Sequence, residues 1–487
     1  MKACTLTRRR FVKAAGLGAA AMALQDRAAA APEAPGKRLN VLWVMSEDIS
    51  PDIGCYGTPL VHTPNLDRLA AEGTRFAHAF CTAPVCSPSR SAMITGMYQT
   101  TIGAHHHRSH RKDGYRLPEG VRLITDHLRD AGYYTCNVTT AAPGVRGSGK
   151  TDFNFQCEKP FDGTDWKDRK EGQPFFAQLS LGVTHRSWAG ARAWAKQAGL
   201  LVDPDKVKVP PYYPDLPLVR DDWAHYLDSM GCMDDQAGKI IQRLKDEGLY
   251  DSTVIFFIGD NGRCDVRGKQ WLYEGGISIP LIVRWPGVTR PGTVSNDLVL
   301  AIDISATILA IAGVDVPPRM EGQVFLGPGA RPPREFVVAA RDRCDETVDR
   351  IRCVRTKKWK YIKNFMPERP YTQPNAYKER SYPVLNFMKQ LQAEGKLSAV
   401  QALFMAPTRP PEELYDLEAD PYEVSNLAAR PEHQETLKSL RAILEKWIKD
   451  TDDKGQYPEK PEAAEGGLGA ASAEKKADAP PAKGKKK

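Results

Sequence analysis

The chain has 487 residues, enough for two or three domains or one large domain with an appendage. Apolar residues make up 41% and charged residues 26%, which excludes a disordered, collagen-like or polytopic membrane protein as the main body. The net charge of +8 gathers at the two ends: residues 1–30 hold six cations against Asp26 alone, and Lys483–Lys487 adds four lysines. The body is therefore close to neutral, and nothing in its charge points to nucleic acid.

Thr7-Arg8-Arg9-Arg10-Phe11-Val12-Lys13 is followed by an Ala/Gly-rich apolar run to Leu24 and small residues at Ala28–Ala31. A charged start, a short apolar core and an Ala-x-Ala site predict a secretory signal over residues 1–31. The paired arginines before Phe11 predict the twin-arginine (Tat) export machinery as a partner, with a periplasmic or secreted product. The apolar run is about half the roughly 20 residues that span a bilayer, so no stable membrane insertion is expected.

Asn40–Met45 reads as a strand buried on both faces. Thr63-Pro64-Asn65 opens a helix, with Thr63 as a candidate cap. Similar apolar runs at 133–138, 175–181, 254–258 and 279–283 alternate with helical patterns at 121–131 and 221–247. This alternation predicts an α/β fold with a mostly parallel sheet, whose ligands sit beyond the carboxyl ends of the strands. Past about residue 330, strand patterns at 335–340, 351–362 and 413–417 precede a last helix near 432–449, predicting a small antiparallel α+β subdomain over 331–450. Residues 451–487, rich in Ala, Pro, Glu, Gly and Lys, predict a disordered tail.

Two strand ends carry acids: Glu47-Asp48 and Asp260-Asn261. All four are oxygen donors, the set a hard divalent cation wants; acids at strand ends also serve as caps and turn formers. In Cys86-Ser-Pro-Ser-Arg90-Ser-Ala-Met-Ile-Thr95-Gly96 a cysteine opens a helix, where free N–H groups favour anions, and Arg90 adds a planar cation suited to an oxyanion. A small buried hydrophobe is the alternative reading of Cys86.

That eleven-residue run resembles the sulfatase signature Cys-x-Pro-Ser-Arg-x-x-Met-Ile-Thr-Gly. Asn40–Asp48, Thr63–Asp67 with Leu69–Gly73, Asp260-Asn261-Gly262 and Glu274-Gly-Gly276 with Pro280–Pro286 resemble further sulfatase blocks in the family's order, so the similarity runs from about 38 to 450. The resemblance implies a large alkaline-phosphatase-like domain over 38–330, its sheet sandwiched by helices, and a small C-terminal subdomain. It implies that Cys86 is oxidised by a formylglycine-generating enzyme to 3-oxoalanine (formylglycine), whose hydrate is the nucleophile. One Ca²⁺ ion would be held by Glu47, Asp48, Cys86, Asp260 and Asn261. By the same resemblance Arg90 steadies residue 86 and the sulfate, Lys269 binds sulfate, Lys150 matches a further catalytic lysine, and His185 binds sulfate and gives a proton to the leaving atom. The substrate implied is a sulfated saccharide of the glycosaminoglycan type, carrying a sulfate ester or an N-sulfate. A phosphodiesterase or phosphonate hydrolase of the same superfamily, or a relative that binds sulfated glycan without turnover, are the alternatives.

Two departures from the family pattern stand out. Glu47 replaces the usual Asp. The common Gly-Lys-x-His becomes Gly149-Lys150-Thr151-Asp152, after an insertion at Thr140–Ser148. Asp152 is not assigned a catalytic role. His105, His106, His107 and His110 follow the nucleophile helix. They read as a metal cluster of non-standard spacing, as a sugar-contacting pocket mouth, or as a solvated loop. This block and Tyr361–Tyr371 resemble the heparan N-sulfatase (sulfamidase) branch. Cys344 and Cys353 read equally as a disulfide or as free thiols.

Overall fold

The computed structural model describes residues 38–465. The signal expected at 1–31 and the tail beyond 465 lie outside them. Apolar runs form the centre of a seven-stranded sheet. Its strands are β1 (Asn40–Ser46), β2 (Thr74–Phe80), β3 (Tyr134–Asn137), β4 (Phe175–Leu181), β5 (Thr253–Gly259), β6 (Ser278–Arg284) and β7 (Thr293–Leu300). Their order is β3-β4-β1-β5-β6-β2-β7. All neighbours are parallel except β6, which runs against both β5 and β2. Every residue of β1, β4 and β5 is buried, because helices cover both faces of a parallel sheet. β2 and β7 escaped the sequence reading: Thr-Arg-Phe-Ala-His-Ala-Phe has no continuous apolar run, and the start of β7 is exposed.

The register places the site. Ser46 of β1 lies opposite Leu181 of β4 and Gly259 of β5. Three neighbouring strands therefore end at one level, and the residues just past them, Glu47-Asp48, His185 and Asp260-Asn261, meet at a single sheet edge.

Helix α1 (Pro64–Glu72) starts with Pro64 in its first turn, as read. Thr63 does not cap it: its hydroxyl accepts the Gly54 N–H and donates to Asp67. The orphan N–H groups of Asn65 and Leu66 go instead to the carboxylate of Asp234, at 3.1 and 2.8 Å. Asp234 belongs to the 30-residue helix α3 (Pro217–Asp246). The nucleophile helix between them, α2 (Cys86–Thr95), is buried along its whole length and closes on Gly96 at φ 68°. Helix α4 (Ala301–Ile311) packs against it.

A second sheet of four antiparallel strands follows: β8 (Phe336–Arg341), β9 (Ile351–Thr356), β10 (Trp359–Asn364) and β11 (Glu412–Asp416). The run read as 351–362 is the β9–β10 hairpin. Helix α5 (Gln434–Asp450) packs on it. Residues 451–465, read as tail on composition, do not stand apart: Asp453 is fully buried against Arg352 at 2.8 and 2.9 Å, and Glu459 pairs with Arg343. Composition cannot register two such ion pairs. Among the described residues every cysteine is free, Cys344 and Cys353 included, and no helix is long and apolar enough to cross a membrane.

Candidate active site

Cys86 is the first residue of α2, and Arg90 lies one turn on, on the same face. The Cys86 Sγ sits 3.7 Å from Asp48 Oδ1. Burial outweighs the nearby Lys150 and Lys269 and pushes the thiol up to about 12, so the unmodified side chain is a neutral thiol. The thiolate is the reactive form of cysteine.

The strand ends then supply the acids. The Asp48 backbone, at φ 55°, donates to Asp260 Oδ1 at 2.9 Å. Asp48 Oδ1 accepts from Asn261 Nδ2 at 2.9 Å, and Oδ2 from Lys269 Nζ at 2.8 Å. Asp260 Oδ2 accepts from Arg90 Nε at 3.0 Å. Arg90 is further held by Ser180 Oγ and the Lys150 carbonyl. Glu47 reaches Lys150 Nζ at 2.9 Å and lies 3.8 Å from Arg90. Its longer arm thus faces the lysine side of the site.

Electrostatics sort these acids. Burial alone would raise Glu47, but Lys150 and Arg90 outweigh it and hold the carboxyl at about 2. Burial likewise opposes Asp48, and Lys269 wins, holding it well below the carboxylate range. Asp260 goes the other way: burial and the charges of Asp48 and Glu47 raise it against Arg90. Asp260, raised by burial and by its neighbouring carboxylates, is the acid whose charge a divalent ion would favour.

Ligand atoms of Asp48, Cys86 and Asp260 lie within 4.8 Å of one another, the one such grouping of His, Cys, Asp or Glu among the described residues. Asn261 Oδ1 is buried with no hydrogen-bond partner. An orphaned carbonyl oxygen beside two carboxylates fits a hard cation.

His185 donates from Nδ1 to the Arg186 carbonyl at 2.7 Å, since that oxygen can only accept. Its Nε2 turns to Lys269 Nζ at 3.5 Å and Asp48 Oδ2 at 3.6 Å. All nine residues read from the sequence therefore meet in one place.

Asp152 does not act as a stand-in for histidine. It sits at φ 53° in contact with Arg111 and within 3.7–3.9 Å of Arg108 and Lys150. Its carboxyl is held well below the usual range, the three cations overriding burial.

The histidine block is not a metal cluster. The His105 and His106 rings lie 4.2 Å apart, tilted by 44°, with His106 near Glu459, while His110 pairs with Asp113. His107 binds Asp345. The sequence reading missed Asp345, whose only signal is its place in a charged turn after β8.

The sulfatase family profile matches residues 39–165 and 161–314, and a profile for the C-terminal part of N-sulphoglucosamine sulphohydrolase matches 262–373. The chain belongs to the sulfatase family. This sulfatase is 34% identical over 470 residues to an ulvan-active sulfatase of Formosa agariphila, covering 87% of this chain and 77% of that one. It is 26% identical over 463 residues to human N-sulphoglucosamine sulphohydrolase, covering 85% and 90%. In fold it resembles BT4656, solved with its substrate D-glucosamine-2-N,6-O-disulfate, with a TM-score of 0.64, 17% identity and coverage of 86% and 99%. It also resembles a phosphonate monoester hydrolase of Silicibacter pomeroyi, with a TM-score of 0.60, 18% identity and coverage of 86% and 96%. The fold is that of this alkaline-phosphatase-like group, with a mostly parallel sheet and a small antiparallel one.

Proposed function

We propose that this sulfatase is exported and removes sulfate, as an ester or an N-sulfate, from a sulfated carbohydrate of the glycosaminoglycan type. The observation that carries the reading is the convergence of Cys86, four buried acids or amides and four basic side chains on one sheet edge. The carbohydrate class rests on relatives named for ulvan and for N-sulphoglucosamine. Export rests on Arg8-Arg9-Arg10 and the apolar run behind them.

Asp48, Asp260 and Asn261, with Glu47 at the lysine side, would hold one Ca²⁺, which supplies positive charge against the sulfate oxygens. Position 86, converted to formylglycine by a maturation enzyme, would supply the nucleophile. The remaining work falls to this chain's side chains. Lys269 and Lys150 offer ammonium donors to the sulfate oxygens. Arg90, locked on Asp260, fixes the helix turn that carries residue 86. His185 holds its Nδ1 proton on a carbonyl, so in the imidazolium form the second proton sits on Nε2, placed for delivery to the leaving oxygen or nitrogen.

The test is sulfate release from matched N-sulfated and O-sulfated saccharides, using protein from a host that makes formylglycine. The peptide mass at position 86 and bound calcium are measured on the same sample. Release that vanishes in Cys86→Ala, which keeps its fold, supports the proposal. Turnover in that variant, or preferential release of the alcohol from a phosphonate monoester, defeats it.

A further inference from the structure

His107 is 6% exposed, yet it is not core packing. Its Nδ1 lies 2.9 Å from Asp345 Oδ1. Asp345 is itself fixed at Oδ2 by Gln270 at 3.1 Å and Asn375 at 3.2 Å. The His107 backbone N–H binds the Arg343 carbonyl at 2.8 Å. Ring and backbone are thus tied to the same turn of the C-terminal subdomain.

Chain adjacency locates this pair. Gln270, which holds Asp345, is the residue after Lys269. Arg108, which follows His107, donates its backbone N–H to Ser87 Oγ at 2.8 Å, and Ser87 is the residue after Cys86. Asp152, with Lys150 at its back, is an electrostatic neighbour of His107. The imidazole therefore stands between the nucleophile helix, the Lys269 loop and the Lys150 loop. Asp345 fixes the tautomer with the proton on Nδ1. Nε2, on the opposite side of the ring, faces away from Asp345. Burial, against the pull of Asp345, keeps the ring's pKa below its ordinary value. A neutral imidazole of this tautomer presents a lone pair, which suits an O–H donor and repels a sulfate oxygen.

We infer that His107, oriented by Asp345, is a specificity-determining residue whose Nε2 accepts a hydrogen bond from a hydroxyl of the sugar ring that carries the sulfate. This rests on the carbohydrate sulfatase reading above. It assigns to His107 the sugar and leaves the sulfate to Lys150, Lys269 and His185.

The experiment measures binding of a sulfated disaccharide and of inorganic sulfate, by calorimetry, to Cys86→Ala protein with and without His107→Phe. Turnover is measured in the Cys86 background. His107→Phe should weaken disaccharide binding and raise KM by about tenfold, the worth of one hydrogen bond. Its kcat should stay within about threefold and inorganic sulfate binding should be unchanged. His107→Gln, which keeps an acceptor, should recover part of the loss. Asp345→Asn, which frees the tautomer, should copy His107→Phe. Equal disaccharide affinity with and without His107 overturns the inference. So does parallel loss of sulfate and disaccharide binding with a lowered Tm, the mark of a structural strut. Because binding is read without turnover, a His107-dependent disaccharide signal in a chain that releases no sulfate would sustain this inference while defeating the catalytic reading.

Discussion

Lys269 Nζ lies 2.8 Å from Asp48 Oδ2, with both side chains buried. The two come from positions 221 residues apart. Asp48 follows β1, while Lys269 sits in the loop between β5 and β6. Within this contact the lysine neutralises an acid that also faces Asn261 and Cys86.

Lys269→Met should cut kcat/KM by about 10²-fold or more, the usual cost of one preorganised donor to developing charge. It should also leave Asp48 without its cation. The Tm should then fall further in calcium-stripped protein than in calcium-loaded protein, which thermal scans with and without chelator will show. An equal fall in both would remove Asp48 from the metal set.

Asp260→Asn breaks the buried pair with Arg90. Loss of one partner leaves an uncompensated buried charge and costs about 3–5 kcal/mol. Urea unfolding should show that loss, together with loss of bound calcium. A variant as stable as the parent would mean that Arg90 finds Glu47 instead.

Glu321 accepts from the Tyr98 N–H at 2.6 Å and the Thr101 hydroxyl at 2.8 Å. Burial raises its carboxyl to about 7, more than these hydrogen bonds and Arg334 lower it. The folded state therefore binds a proton that the unfolded chain, at about 4.5, releases. Stability from this group is full below about 4.5 and is lost as pH rises through about 7. Glu321→Gln should flatten that part of the stability–pH curve by about 1–3 kcal/mol, measured by denaturant unfolding at pH 5 and 8. An unchanged slope would show that Glu321 titrates normally.

Cutting the chain after Asp450 removes Asp453 and leaves Arg352, which is fully buried, without its bidentate partner. The Tm should drop by several degrees. A cut after Glu465 should leave it unchanged. If both cuts melt alike, residues 451–465 contribute nothing to the fold.

By itself the sequence determined the strand–helix alternation, the family and nine residues that the fold brings together. Each of those signals is local: an apolar run, a helix-opening Cys-x-Pro-Ser-Arg, an acid at a strand end. It could not yield β2 and β7, whose apolar content is too sparse to register without the neighbours that bury them. Nor could it yield the Asp234 cap on α1 or the Asp453–Arg352 pair, since partners more than a hundred residues apart leave no mark in spacing. The tertiary structure alone decided what each departure means. Glu47 pairs with Lys150, Asp152 is consumed by cations, and Asp345 holds the His107 ring. Such choices depend on which charges burial brings within a few ångströms, and register between distant strands sets that distance.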